Sequence, residues 1–234
     1  QWSVMASEDL RGLVSAQWLA MASEDLVALT PGQWSAVSTE ALVGLGTGQW
    51  ANLASDDLRG LTAGQWSSAA SEDLNALSAL QWSQLGSDDL RGLVAAQWRA
   101  MASEDLVGLV GAQWATLSSV GLTALGTGQW ASLEAEDLKG LVAGQWEQLG
   151  SATLVALTTG QWQGLASDDL RGLTAGQWSV VESGDLRALT EAQWSVMASE
   201  DLRGLVSAQW LAMASEDLVA LTPGQWSAVS TEAL

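Results

Sequence analysis

Along this chain apolar residues come in pairs three positions apart, and the pairs return every eight residues. Trp2 stands with Met5 and Leu10 with Leu13; the same offsets recur at Trp18 and Met21, Leu26 and Leu29, Trp34 and Val37. A spacing of three puts both side chains on one face of a helix, whereas a strand would alternate. Small, turn-forming and acidic residues fill the intervals, so each octamer predicts a helix of one to two turns followed by a tight connection. One unbroken helix does not fit. At about 100° per residue, sixteen residues advance roughly 160° beyond whole turns, and successive Trp side chains would scatter around the rod.

The octamers alternate in kind. One carries Gln-Trp and the next usually Asp-Leu, so the sequence period is sixteen, and all fifteen Trp residues occupy a single repeat position. Leu recurs at the tenth position from Leu10 to Leu234 and at the thirteenth from Leu13 to Leu221. A strict tandem repeat buries its apolar face against neighbouring repeats. The expected fold is therefore all-α: an α-solenoid of very short helices, with the 16-residue repeat made of two octamers. Its expected structural core is Trp2, Leu10, Leu13, Trp18, Leu26, Leu29, Trp34, Leu42, Leu45 and their later equivalents, with the fifth position mostly buried. A β-solenoid with sixteen residues per coil is the alternative; the Leu-rich, Ile-free composition and the spacing of three weigh against it. The expected coil holds one 16-residue unit per turn, Trp helices on one side and Leu helices on the other, with three or four octamers per turn left open.

Local signals say where each helix starts. Thr30-Pro31-Gly32-Gln33 reads as an N-cap, a Pro at the first helical position and a capping-box Gln, and Thr190 to Gln193 repeats the box. Ser7 to Leu10 and Ser55 to Leu58 supply a capping hydroxyl followed by carboxylates in a first turn, where the helix dipole favours them, with a cap one residue before the Ser as the alternative. The Gln before each Trp reads as a cap, with an amide ladder between turns as the alternative. The twelfth position is always Gly or Ala. Gly inside a helix costs about 1 kcal/mol against Ala, which predicts a close approach there, most simply to the Trp of a neighbouring helix.

Residues 193–234 repeat residues 1–42 letter for letter. Residues 1–192 are thus one superrepeat of twelve units and 193–234 the start of an identical second, and the expectation is a single continuous solenoid. The chain opens on Gln1 and stops at Leu234 in mid-repeat, which reads as an excerpt of a longer protein.

Composition narrows the function. Hydrophobic residues make up 48% of the chain, too many for disorder, and eight bases against a net charge of −19 argue against nucleic acid and anionic membranes. Cys and His are absent, removing thiolate and imidazole chemistry. No run of about eighteen uncharged apolar residues marks a spanning helix, so no membrane insertion is expected in this segment. General-base catalysis would fall to carboxylates that sit in copied positions with no unique cluster, so no enzyme, and no catalytic or cofactor-binding residue, is expected. Haem ligation would depend on Met5, Met21, Met101, Met197 and Met213, all at the fifth, apparently core, position. The Trp series reads as core, with a sugar or nucleobase platform as the alternative.

The acidic pairs are the weak metal candidates. Glu8, Asp9, Glu24, Asp25, Asp56, Asp57, Asp88 and Asp89 would come into register if units stack, and carboxylate ladders recruit Ca²⁺. Against this, a solvated first turn explains the acids without metal, and no Asp-x-Asp-x-Asp-Gly loop occurs. Bases fall mostly at the eleventh position, where pairing with neighbouring acids is the expected use.

The octamer Leu29-Thr-Pro-Gly-Gln-Trp-Ser-Ala36, with Leu157 to Trp162, resembles the short L-T-x-x-Q repeats of very large bacterial surface proteins, of the type labelled adhesins or haem-utilisation proteins. The resemblance runs the whole length of the chain. It departs from that pattern in carrying Trp where a smaller aliphatic is usual and in alternating with Asp-Leu octamers. It implies an extracellular or cell-surface protein with a repetitive stalk. The expected function is a non-catalytic structural segment of a long extracellular filament, stalk or surface fibre. Its expected partner is itself, by covalent continuation and by end-to-end or lateral association. The alternative is a repetitive adhesive surface for glycan or another cell.

Overall fold

The computed structural model describes residues 2–227 and Val229, and every regular element among them is helical. A 3-10 turn at Trp2–Val4 is followed by 28 α-helices of four to six residues, from Ser7–Arg11 to Pro223–Trp226. The solenoid is α and not β: no strand occurs among the described residues.

The Trp helices begin with the capping-box Gln that the sequence predicts, whereas the Asp-Leu helices are capped one residue before the Ser, as at Ala6 and Ala54, with no capping hydroxyl. Thr62 is extended at φ −83° and ψ 160°, and its hydroxyl accepts the Gln65 N–H while the Gln65 side chain accepts the Thr62 N–H, closing the capping box. The ends are made differently from most helix ends. Among the described residues none has a positive φ, glycine included, so no left-handed cap is used. Helical chain gives way instead to extended residues that lead into the next helix, as at Leu53, φ −64° and ψ 139°, and the N-cap Ala54, φ −70° and ψ 152°. Helices this short are unstable alone, because nucleation is costly, so their stability comes from stacking.

The stacking rule corrects the expected coil. Helices three apart in sequence lie against one another: Thr39–Val43 packs on Ser15–Leu19 and on Ala63–Ser68, Ala63–Ser68 on Ser87–Gly92, and Ala175–Trp178 on Ser199–Gly204. Three octamers bring the chain back over itself, not the two of a single 16-residue unit. Three is odd while the octamers alternate in kind. Every Trp helix therefore stacks on an Asp-Leu helix, and the sides of the coil are mixed.

The chain divides into two compact units, residues 1–124 and 125–234, and the division does not fall at residue 193, where the second superrepeat begins. The same packing rule holds within each. In the first, Trp18, Trp34, Trp50 and Trp66 are fully buried, and Trp18–Trp34 and Trp50–Trp66 meet as tilted rings with centroids 6.2 and 6.3 Å apart. In the second, Trp162–Trp178 and Trp210–Trp226 do so at 6.1 Å.

Leu10, Trp18, Leu26, Leu29, Trp34, Leu42 and Leu45 are buried as expected, and so are Val37, Leu53 and Met101 at the fifth position. Trp2 and Leu13 are only half-buried, because the first turn is covered by chain on one side alone. Leu234 lies outside the described residues.

The twelfth-position glycines have ordinary helical φ, −75° at Gly12 and −76° at Gly172, so backbone freedom is not their purpose. Space is. A Cβ added at Gly92 would sit 2.9 Å from the Ala63 Cα, and one at Gly172 would sit 2.9 Å from the Ala143 Cα. The neighbour is mainly the backbone at the start of the helix below. The Trp side chain expected there contributes at Gly92 and Gly172.

Candidate functional site

The polar residues repeated in every unit are the candidate site, and they divide into two ladders. In Trp octamers the ladder residue is Gln. Gln65 accepts the Thr62 N–H at 2.6 Å through Oε1, while its Nε2 donates to the Trp34 carbonyl at 2.8 Å and the Val37 carbonyl at 2.7 Å. The two acceptors are carbonyls at the corner where an earlier helix ends, and the Trp34 carbonyl also accepts the Val37 N–H at 3.1 Å, so one amide joins a corner of the coil to the corner beneath it. Gln33, Gln49, Gln97 and Gln113 make the same pair of bonds in the first unit. Gln161, Gln177, Gln193, Gln209 and Gln225 make it in the second. Cap and ladder are one residue's two ends.

In the other octamers the residue at the matching place is Asp. Asp89 accepts the Gly86 N–H at 2.7 Å and the Trp66 indole N–H at 3.2 Å. Carboxylates cannot donate, so this rung runs from the Trp of the helix below upward to the acid. The indoles of Trp34, Trp82, Trp146, Trp178 and Trp194 approach Asp57, Asp105, Asp169, Asp201 and Asp217 in the same sense, more loosely than at Trp66. Burial pushes all these carboxyls above their ordinary range, offset in part by the N-cap N–H and the indole. Asp73 and Asp105 are pushed up to about 6, by burial first and then by the adjacent Glu72 and Glu104, with the Ala102 N–H a further, opposing influence at Asp105.

No protein-family model matches this chain, and no curated protein matches it.

The calcium candidates are not brought together in the way the sequence suggests. An Asp-Leu helix stacks on a Trp helix, so acidic pairs do not meet in adjacent turns of one column. The two acids of each pair also part. Asp57 and Asp89 are buried in capping bonds, while Asp56 and Asp88 are exposed beside Arg59 and Arg91. Glu8, Asp9 and Glu24 are exposed and Asp25 is half-buried. No group of three or more metal-type ligands forms among the described residues.

Bases at the eleventh position have two uses. Arg59, Arg91, Lys139, Arg171 and Arg203 pair with the exposed acid three residues earlier, in pairs that contribute little individually. Arg11 and Arg187 instead donate to the Ala36 and Ala212 carbonyls of a neighbouring turn, as Asn75 does to Ala100. Sequence reasoning took both acids of a pair for one solvated feature and missed the buried one. The signal was present: the first acid varies between Glu and Asp, while the second, where present, is always Asp. A fixed side-chain length marks a fixed partner.

Proposed function

We propose that this chain is a non-catalytic structural segment of a long extracellular filament, stalk or surface fibre. One observation carries the reading: twelve tryptophans, Trp18 through Trp194, are fully buried. A repeated aromatic platform for sugars or bases would have to present ring faces or edges, and these rings are spent on cohesion between turns. The Gln and Asp side chains are likewise engaged in bonds that hold one turn to the next. Duplication of a 192-residue block lengthens such a stack without disturbing any site, as selection for span would favour. Placement outside the cell rests on the resemblance of the octamers to bacterial surface repeats.

The test is small-angle scattering on chains carrying one, two and three copies of the superrepeat. Maximum dimension should grow in proportion to copy number at constant cross-section. A dimension that stops growing, or saturable binding of a glycan in an array screen, would replace this reading with a compact or adhesive one.

A further inference from the structure

Eight of the buried aspartates have carboxyls raised by burial, and they differ in one respect that recurs with the fold. The Gln amides show that the corner before a helix lies over the corner that ends the helix four earlier: Gln65 reaches the Trp34 and Val37 carbonyls. In the Asp octamers that lower corner is occupied by the eleventh-position residue of the unit two before. Arg59 is such a residue, the C-cap of Ser55–Leu58, and it faces Asp89. Lys139, Arg171 and Arg187 stand in the same relation to Asp169, Asp201 and Asp217. At Asp57, Asp73, Asp105 and Asp185 the matching residues are Val27, Val43, Asn75 and Val155, which carry no charge.

We propose that the aspartates buried at the ninth position make the turns of the solenoid tighten on mild acidification, and that a base at the eleventh position two units earlier damps the response of the turn it faces. Asp73 and Asp105 are 5% and 8% exposed. The charged group facing Asp73 is Glu72; Asp105 faces Glu104, with the Trp82 indole and the Ala102 N–H as its polar neighbours. Neither has a base below it. Asp73 is therefore a buried carboxylate next to a like charge, and Asp105 is one met by neutral donors beside a like charge; in both, taking up a proton relieves burial and repulsion together. Their carboxyls, pushed up to about 6, are the highest resolved in the chain. A group whose folded pKa is raised contributes stability that is complete below the ordinary carboxylate range and is lost as pH rises through the folded value. The turns holding Asp73 and Asp105 gain between pH 7 and pH 5, and the turns holding Asp201 and Asp217 respond less. This inference concerns the stacking of turns and stands whether or not the chain serves as a filament.

The experiment is carboxyl-carbon NMR titration of the whole chain labelled at Asp, with assignments from Asp73→Asn and Asp105→Asn, alongside thermal melting at pH 7 and pH 5. Asn75→Arg should move the Asp105 midpoint down from about 6 toward the ordinary carboxylate range, and Arg171→Val should move that of Asp201 up. The melting temperature should rise on going to pH 5, and Asp73→Asn with Asp105→Asn should remove most of that rise. The pair Glu8→Gln and Glu24→Gln, which takes away the same two charges from the surface, should keep it. An Asp105 midpoint indifferent to Asn75→Arg would overturn the tuning. A rise that survives loss of both aspartates would assign the pH response to general charge repulsion instead.

Discussion

Exchanging Gln65 for Glu tests whether the inter-turn amide works as its geometry requires. Gln65 is 3% exposed and makes one bond as acceptor, to the Thr62 N–H, and two as donor, to the Trp34 and Val37 carbonyls. Gln65→Ala removes all three. At about 1 kcal/mol of net stability per bond the loss is about 3 kcal/mol. Gln65→Glu keeps the acceptor but turns a second oxygen, bearing charge, toward two carbonyl oxygens. Setting a buried charge against those two carbonyls, where the amide had placed a donor, costs a further 1 to 3 kcal/mol or so, and the Glu variant should be the less stable of the two at pH 7. Acid should reverse the order. A protonated Glu donates one bond where Ala donates none; because the ionised form is disfavoured in the folded state, stability returns as pH falls through the raised folded value. Urea titrations at pH 7 and pH 4.5, followed by Trp fluorescence and circular dichroism, would show both effects, and hydrogen exchange should place the loss in the turns around Trp34 and Leu77. Equal stability of the Ala and Glu variants at pH 7, with no crossing on acidification, would mean that the side chain is a simple N-cap and that the turns are held by apolar contact alone.

Gly204→Ala would put a methyl group 2.7 Å from the Ala175 Cα and should cost about 1 to 3 kcal/mol, whereas Gly184→Ala, with nothing within 4 Å, should gain up to about 1 kcal/mol; denaturant midpoints of the two variants give the sign directly. Calcium should not be needed for helix formation, so far-UV ellipticity should be the same in chelator and in millimolar calcium; a helical signal lost on chelation would restore a role for the exposed acids. Removing one octamer, residues 73–80, should destabilise the chain far more than removing the 16-residue unit 65–80, because only the shorter deletion sets helices of like kind on one another; thermal melts of the two deletions decide it.

Helix positions, caps and core were legible because each rests on a local cause. Thr30 and Gln33 announce a capping box by identity alone, and Trp34 with Val37 fixes the buried face by spacing. The number of octamers per turn was not legible, since a sixteen-residue period records the alternation of two kinds of octamer and says nothing about the angle at a corner. That angle comes from extended corner residues such as Leu53 and Ala54, whose identity does not distinguish a reversal from a bend. The candidate site fell between these cases. Gln65 showed its capping half, which acts within three residues, and hid its donating half, which acts over thirty-one. Arg11 likewise reads as a partner for nearby acids until a turn of the coil brings the Ala36 carbonyl within 3.2 Å.

The mismatch between a two-octamer alternation and a three-octamer turn explains why the chain uses two kinds of octamer at all. Were every octamer of the Trp kind, each indole would have an indole helix above it and no carboxylate to receive its N–H. Were every octamer of the Asp kind, the core would lose its largest side chains and gain a carboxylate in every turn of a chain that already carries a net charge of −19. Alternation across an odd turn gives each Trp an Asp-Leu helix above and below, so that Trp66 meets Asp89 and the Gly92 gap lies against the start of the Trp66 helix. Any change of length by a whole 16-residue unit preserves this pairing, since it leaves the alternation intact. Three units, or two turns, restore the same kind of helix on the same side of the coil, and the 192-residue block contains a whole number of such periods. A duplication of that block therefore joins without a seam in either pattern. Residues 193–227 then make in their turns the bonds that the repeat demands: Gln209 donates to the Trp178 and Val181 carbonyls just as Gln97, inside the first superrepeat, donates to Trp66 and Ala69.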